Sequence, residues 1–201
     1  MPKIVDHETR RKELAEATWR VIRREGLEGV SVRKVAREAG VSAGSLRHYF
    51  ASQSELLAFA LQMVGERLTE RIQRLPLGRS LRGDIESIIA QVLPLDEERT
   101  TETVIWLAFM GKAMVDRGLG ELAASTYQQL YEFFLEIIKA MVRYGGLPAN
   151  TDVELEARRL HALVDGLAVH CVSGNATLSP EMVWRVVTYH LDELMKCPKH
   201  A

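Results

Sequence analysis

The run Ser42-Ala43-Gly44-Ser45-Leu46-Arg47-His48-Tyr49-Phe50 holds the residue types best suited to reading a polyanion. Ala43 and Gly44 are small enough to let a duplex approach closely. Ser45 can donate or accept at several bases, and Arg47 can fork onto the two acceptors of guanine. His48 can reach a base edge or a phosphate, and the Tyr49 hydroxyl suits a phosphate. Leu46 and Phe50 are four apart, which places both on one helical face, turned toward a core. No reaction chemistry competes for this chain. His7, His48, His161, His170, His190 and His200 are scattered. None has a close nucleophile or a spacing such as H-E-x-x-H, and no glycine-rich phosphate loop occurs. The expectation is no catalytic residue, no metal and no cofactor.

Three helices must position these groups. Leu14, Ala17, Val21 and Ile22 recur at helical spacing between Arg10 and Arg24, and Gly26 suits the residue past a helix end. Ser31 is a good N-cap for a short helix with Val32, Val35, Ala36 and Ala39 apolar. Gly40 then supplies a turn that needs positive φ. Ser42 caps the next short helix. This is the layout of a helix-turn-helix, whose second helix enters the major groove with its N-terminal end first. Ser31 and Arg33, at the start of the preceding helix, are placed to anchor phosphate. A helical hairpin with a glycine turn also occurs without nucleic-acid function, so the layout alone leaves both readings open.

Charge favours the first. Net charge is near zero, but residues 1–50 carry eleven Lys+Arg against seven Asp+Glu, and the remainder fifteen against twenty. Such asymmetry suggests a polyanion-binding segment joined to a different module. Nearly half the residues are hydrophobic and a quarter charged, ordinary for a globular protein. No apolar run reaches the roughly 20 residues of a membrane span, and the charged N-terminus lacks the apolar core of a secretory signal. Cys171 and Cys197 lack metal-ligand spacing and are expected to be reduced, in a cytoplasmic protein.

The rest of the chain reads as six more helices, giving an all-α fold of about nine. Ser52 and Glu55 form a capping box for a fourth helix reaching about Gln73. Pro76 and Gly78 mark a turn. A fifth helix covers about Leu81 to Leu93, and a sixth, capped by Asp96, runs to about Val115. Gly118 and Gly120 flank a break before a long helix ending near Tyr144. Thr151 and Glu154 read as another capping box, opening a helix to about Val172 that Gly174 ends. Ser179 and Pro180 start the last helix, to about Met195.

The segment "SVRKVAREAGVSAGSLRHYFASQSELL" resembles the N-terminal DNA-binding signature of the TetR family of bacterial transcriptional regulators. Gly26, Val35-Ala36, Ala39-Gly40-Val41-Ser42, Leu46, Tyr49-Phe50, Ser52, Glu55 and Leu56 carry the match, over roughly residues 9 to 57. The resemblance implies a DNA-binding head over residues 1–53 and a ligand-sensing and dimerisation domain over 54–201. It implies a homodimer docking its heads in successive major grooves of a near-palindromic operator, with the last two helices forming the dimer seam. The family usually has Lys where this chain has Gln53, so a hydrogen bond to phosphate replaces an ion pair there. Further on, Trp106, Asp165-Gly166-Leu167, Ser173-Gly174 and the "LPLG" turn resemble the choline-responsive BetI branch, which does not establish choline as the effector.

Within the sensing part, Trp106, Phe109, Met110, Tyr127, Tyr131, Phe134, His161 and Asp165 are polar or aromatic groups on apolar helices and are candidates to line a ligand pocket. Each also suits ordinary core packing, and His161 and Asp165, four apart, can simply pair. For a cationic effector, Trp106 with Tyr127 or Tyr131 would offer cation–π contacts and Asp165 a countercharge. Leu163, Leu167 and Cys171 on the eighth helix, with Trp184, Val187 and Leu191 on the ninth, are the expected dimer seam; a core within one chain would give similar stripes. The function these features imply is a sequence-specific DNA-binding regulator, a repressor released from its operator by a small molecule. An effector-independent or activating regulator is the alternative. Its partners are operator DNA, a second copy and an unidentified effector, with no membrane.

Overall fold

The computed structural model describes residues 7–26, 30–173 and 178–196, and every regular element among them is helical. The α-helices are α1 (His7–Glu25), α2 (Val32–Glu38), α3 (Ala43–Arg47), α4 (Gln53–Gln73), α5 (Leu81–Ile89), α6 (Glu97–Ala113), α7 (Gly120–Arg143), α8 (Val153–Val172) and α9 (Pro180–Lys196). Short 3-10 turns occupy Ala90–Val92 and Arg117–Leu119.

Packing divides the chain into two units. One holds Met1–Arg67 with Val104–Ala123, the other Leu68–Thr103 with Ala124–Ala201. This packing division falls inside α4 and α6. The reason lies in the first unit's core, where Leu14, Val21, Ile22, Val35, Leu46, Leu56 and Ala60 from the first four helices, and Phe50 from the turn between α3 and α4, bury with Ile105, Phe109 and Leu119. The later half of α6 is part of the head's packing.

Local chemistry sets the helix ends. Ser31 Oγ accepts from the Lys34 amide at 3.3 Å, and Ser42 Oγ from the Ser45 amide at 3.0 Å. Both caps match the sequence reading. Gly40, at φ +66°, makes the turn between α2 and α3, where a side chain would be strained. Ser52 Oγ accepts from the Glu55 amide at 3.1 Å. The Glu55 carboxylate reaches past Ser52 to the Ala51 amide at 2.8 Å. Ion pairs hold α1 to α2: Arg20 and Arg24 to Glu38 at 2.8 and 2.9 Å, and Lys34 to Glu25 at 2.6 Å.

The second unit has its own core, centred on Phe134, Ile138, Met141, Leu160, Val187 and Leu191. Arg71 donates to both Glu102 oxygens at 2.6 Å. Arg82 ties α5 to α9, reaching the Thr188 carbonyl and Asp192, each at 2.9 Å.

Three expectations are corrected. The cap of α8 is Asp152, whose carboxylate accepts from the Leu155 amide at 3.0 Å. Thr151 instead donates to the Pro148 carbonyl at 2.7 Å, which removes its hydroxyl from the capping position. The fifth helix ends at Ile89 and tightens into a 3-10 turn before Pro94. The sixth ends at Ala113, because the chain turns at once toward the cap that Asp116 provides. The expected stop at Gly174 and the second cysteine, Cys197, lie outside the described residues.

Candidate nucleic-acid interface and sensor residues

α3 is five residues long and far too short to be stable alone. It stands because Leu46 on its inner face and Phe50 just past its end, both fully buried, anchor it in the first core. The guanidinium of Arg11 lies over Phe50 and Phe59, at 4.9 and 4.6 Å from the ring centres.

The outer face is correspondingly bare. Ser42, Gly44, Arg47 and His48 are exposed, and Ala43, Ser45 and Tyr49 half-buried. Gly44 is not demanded by the fold: a Cβ there would meet only Ser42 Oγ, at an ordinary 3.7 Å. Its smallness leaves space on the outside. The Tyr49 ring lies tilted against that of His7, at the start of α1, with 4.7 Å between ring centres. The sequence reading missed that partner, because the two residues are 42 positions apart in the chain.

Charge on this head is partitioned. Arg20, Arg24 and Lys34 are paired with Glu38 and Glu25. Hydrogen bonds from Arg20 and then Arg24 hold the Glu38 carboxyl below the usual carboxylate range. Those from Lys34 and then Arg24 do the same for Glu25. Arg33, Arg37 and Arg47 are exposed and have no carboxylate partner among the described residues. Arg37 escaped the sequence reading because it lies late in α2. Gln53, expected at a phosphate, donates from Nε2 to the Val30 carbonyl at 2.9 Å.

The expected pocket residues separate. Trp106, Phe109 and Met110 pack with the first unit's core. In the second unit, Tyr127, Phe134, His161 and Asp165 come together. The buried His161 ring stacks on Phe134 at 5.0 Å and lies tilted against Tyr127 at 5.2 Å. Its Nε2 is 3.2 Å from Asp165 Oδ2 but lacks hydrogen-bond alignment. Tyr131 is drawn elsewhere, with the Arg158 guanidinium 4.4 Å over its ring. The same unit has a groove of about 450 Å³ that the sequence did not reveal. Ile72, Ile85, Ile88, Phe133, Ile137 and Ala140 form its apolar floor, with Gln129, Glu132 and Glu136 around it.

Of the expected seam, Val187 and Leu191 are fully buried within the chain and Leu167 nearly so. Leu163, Cys171 and Trp184 are half-buried. Burial pushes the Cys171 thiol up from its ordinary value. The large apolar side chains left exposed on these helices are Leu155 and Val169 on α8, and Met182 and Tyr189 on α9.

A short helix with a small, bare front, unpaired arginines beside it and a buried back is the head of a helix-turn-helix DNA-binding regulator. Residues 14–59 match the family model described as bacterial regulatory proteins, tetR family. Residues 81–196 match the BetI-type transcriptional repressor C-terminal model. The chain is 38% identical over 195 residues to the HTH-type transcriptional regulator PksA of Bacillus subtilis (strain 168), covering 96% of this chain and 94% of the other. It is 29% identical over 171 residues to the HTH-type transcriptional regulator BetI of Vibrio vulnificus (strain YJ016), 83% of each. The crystal structure of a transcriptional regulator from Rhodococcus sp. Rha1 superposes with a TM-score of 0.78 at 31% identity, covering 92% of this chain and 95% of that one. The chain belongs to the TetR family of transcriptional regulators, with a C-terminal part of BetI type. That family consists of DNA-binding regulators, not enzymes. No described helix is long and apolar enough to cross a membrane.

Proposed function

We propose that this regulator is a homodimeric repressor that a small-molecule effector releases from its operator. The front of α3 carries the reading: Ala43 to Ser45 admit the base pairs, Arg47 and His48 meet their edges, and Tyr49 with Arg33 and Arg37 meets phosphate. Two copies would present two such fronts to half-sites about 34–36 Å apart. The seam that joins them would use the exposed residues Leu155, Val169, Met182 and Tyr189, since Val187 and Leu191 already serve the core. A regulator of this kind works in the cytoplasm, where its DNA is.

The effector would meet His161, Asp165 and Tyr127, where a buried imidazole lacks an aligned partner between two aromatic rings. Release requires that it bind the non-operator arrangement more tightly, because equal affinity for both shifts nothing. The test is a gel shift with the DNA upstream of the protein's own gene, with and without a metabolite extract. The expected result is a salt-sensitive shift that the extract reverses in wild type and fails to reverse in His161→Phe. A shift that no metabolite reverses would favour the effector-independent regulator.

A further inference from the structure

The first turn of α4 is gripped from two sides. Ser54 Oγ donates to Asp116 Oδ2 at 3.0 Å. The other Asp116 oxygen accepts from the Gly118 amide at 3.1 Å and caps the 3-10 turn that follows α6. One residue before Ser54, Gln53 Nε2 holds the carbonyl of Val30, a buried residue directly before the Ser31 cap of α2. All of these residues lie in the first packing unit. α3 runs into α4 through only His48 to Ser52, so the placement of this turn fixes where α3 stands.

We propose that Ser54 and Asp116 are positioning residues for operator recognition: their hydrogen bond fixes the first turn of α4 and so pre-organises α3. Neither residue touches DNA in this scheme. Without the bond, α3 samples more orientations, and docking must order them. That loss falls on specific binding, where α3 must fit base edges. It spares non-specific binding, which rests on phosphate attraction. The inference rests on the reading of α3 as the helix that meets base edges.

The experiment starts from a duplex that wild-type protein selects out of a randomised library. Its affinity and that of a scrambled duplex are measured by fluorescence anisotropy. Ser54→Ala is expected to weaken the selected duplex about three- to tenfold. It should leave the scrambled duplex unchanged and the melting temperature within about 2 °C. Ser54→Thr, which keeps the hydroxyl, should bind as wild type. Ser54→Ala with Asp116→Ala should be no weaker than Asp116→Ala alone. Wild-type affinity in Ser54→Ala, an equal loss on both duplexes, or losses that multiply in the double variant would overturn this inference alone. A wild type that enriches no duplex would overturn the reading of α3 as well.

Discussion

Arg71 of α4 and Glu102 of α6 meet through two hydrogen bonds of 2.6 Å, with Glu102 only 5% exposed. The bond to Glu102 raises the Arg71 pKa, against a desolvation cost that lowers it. Arg71→Met would leave a buried carboxylate without its partner. The expected loss of stability is about 2–4 kcal/mol, read from urea unfolding. Replacing both residues by Met should recover much of that loss, because the unpaired charge goes with it. A double variant less stable than Arg71→Met would contradict this account.

The α1–α2 ion pairs give the head a pH dependence. Glu38 and Glu25 are held below the ordinary carboxylate value of 4.5 by hydrogen bonds from Arg20, Arg24 and Lys34. Their unfolded forms therefore bind protons more readily than their folded forms. The stability they contribute is complete above the ordinary value and is lost as pH falls through the depressed folded values. Wild type should melt above Glu38→Gln at pH 7, and the gap should close as pH falls below 4.5. Added salt should narrow it at neutral pH, since the pairs are exposed. A gap that does not narrow as pH falls below 4.5 would show that Glu38 acts by packing.

Arg47 and Arg33 should separate base reading from phosphate attraction. Arg47→Ala is expected to cost about 1–3 kcal/mol on the selected duplex and to relax sequence preference at one position. Arg33→Gln should weaken all duplexes alike and reduce the salt slope by about one. Anisotropy titrations across a salt series check both. A uniform loss from Arg47→Ala would move it to the phosphate class.

The head was legible because its information is local. Caps at Ser31 and Ser42, the positive-φ turn at Gly40 and the i, i+4 pair Leu46 and Phe50 each need only neighbours in sequence. What was not legible depends on distant partners. Nothing near Gln53 foretells the Val30 carbonyl 23 residues earlier. Nothing near Ser54 foretells Asp116, 62 residues on. The apolar stripes of α8 and α9 showed that these helices bury surface, but periodicity does not say against what. Val187 and Leu191 bury within the chain.

That distinction sets the last prediction. Leu155, Ala162 and Val169 are seven apart on α8, and Met182 and Tyr189 seven apart on α9, so each set forms one stripe along its helix. Leu155, Val169, Met182 and Tyr189 are 53, 40, 39 and 67% exposed in the single chain, and Ala162 adds little bulk between the first two. A second copy would cover these stripes, whereas Val187 and Leu191 have no surface left to offer. Val169→Glu or Tyr189→Glu should therefore shift sedimentation from dimer toward monomer at micromolar protein while the helical circular dichroism signal is kept. Val187→Glu should instead unfold the second unit, because it buries a charge without a partner. A wild-type monomer, or an undisturbed dimer in both α8 and α9 surface variants, would place the seam elsewhere.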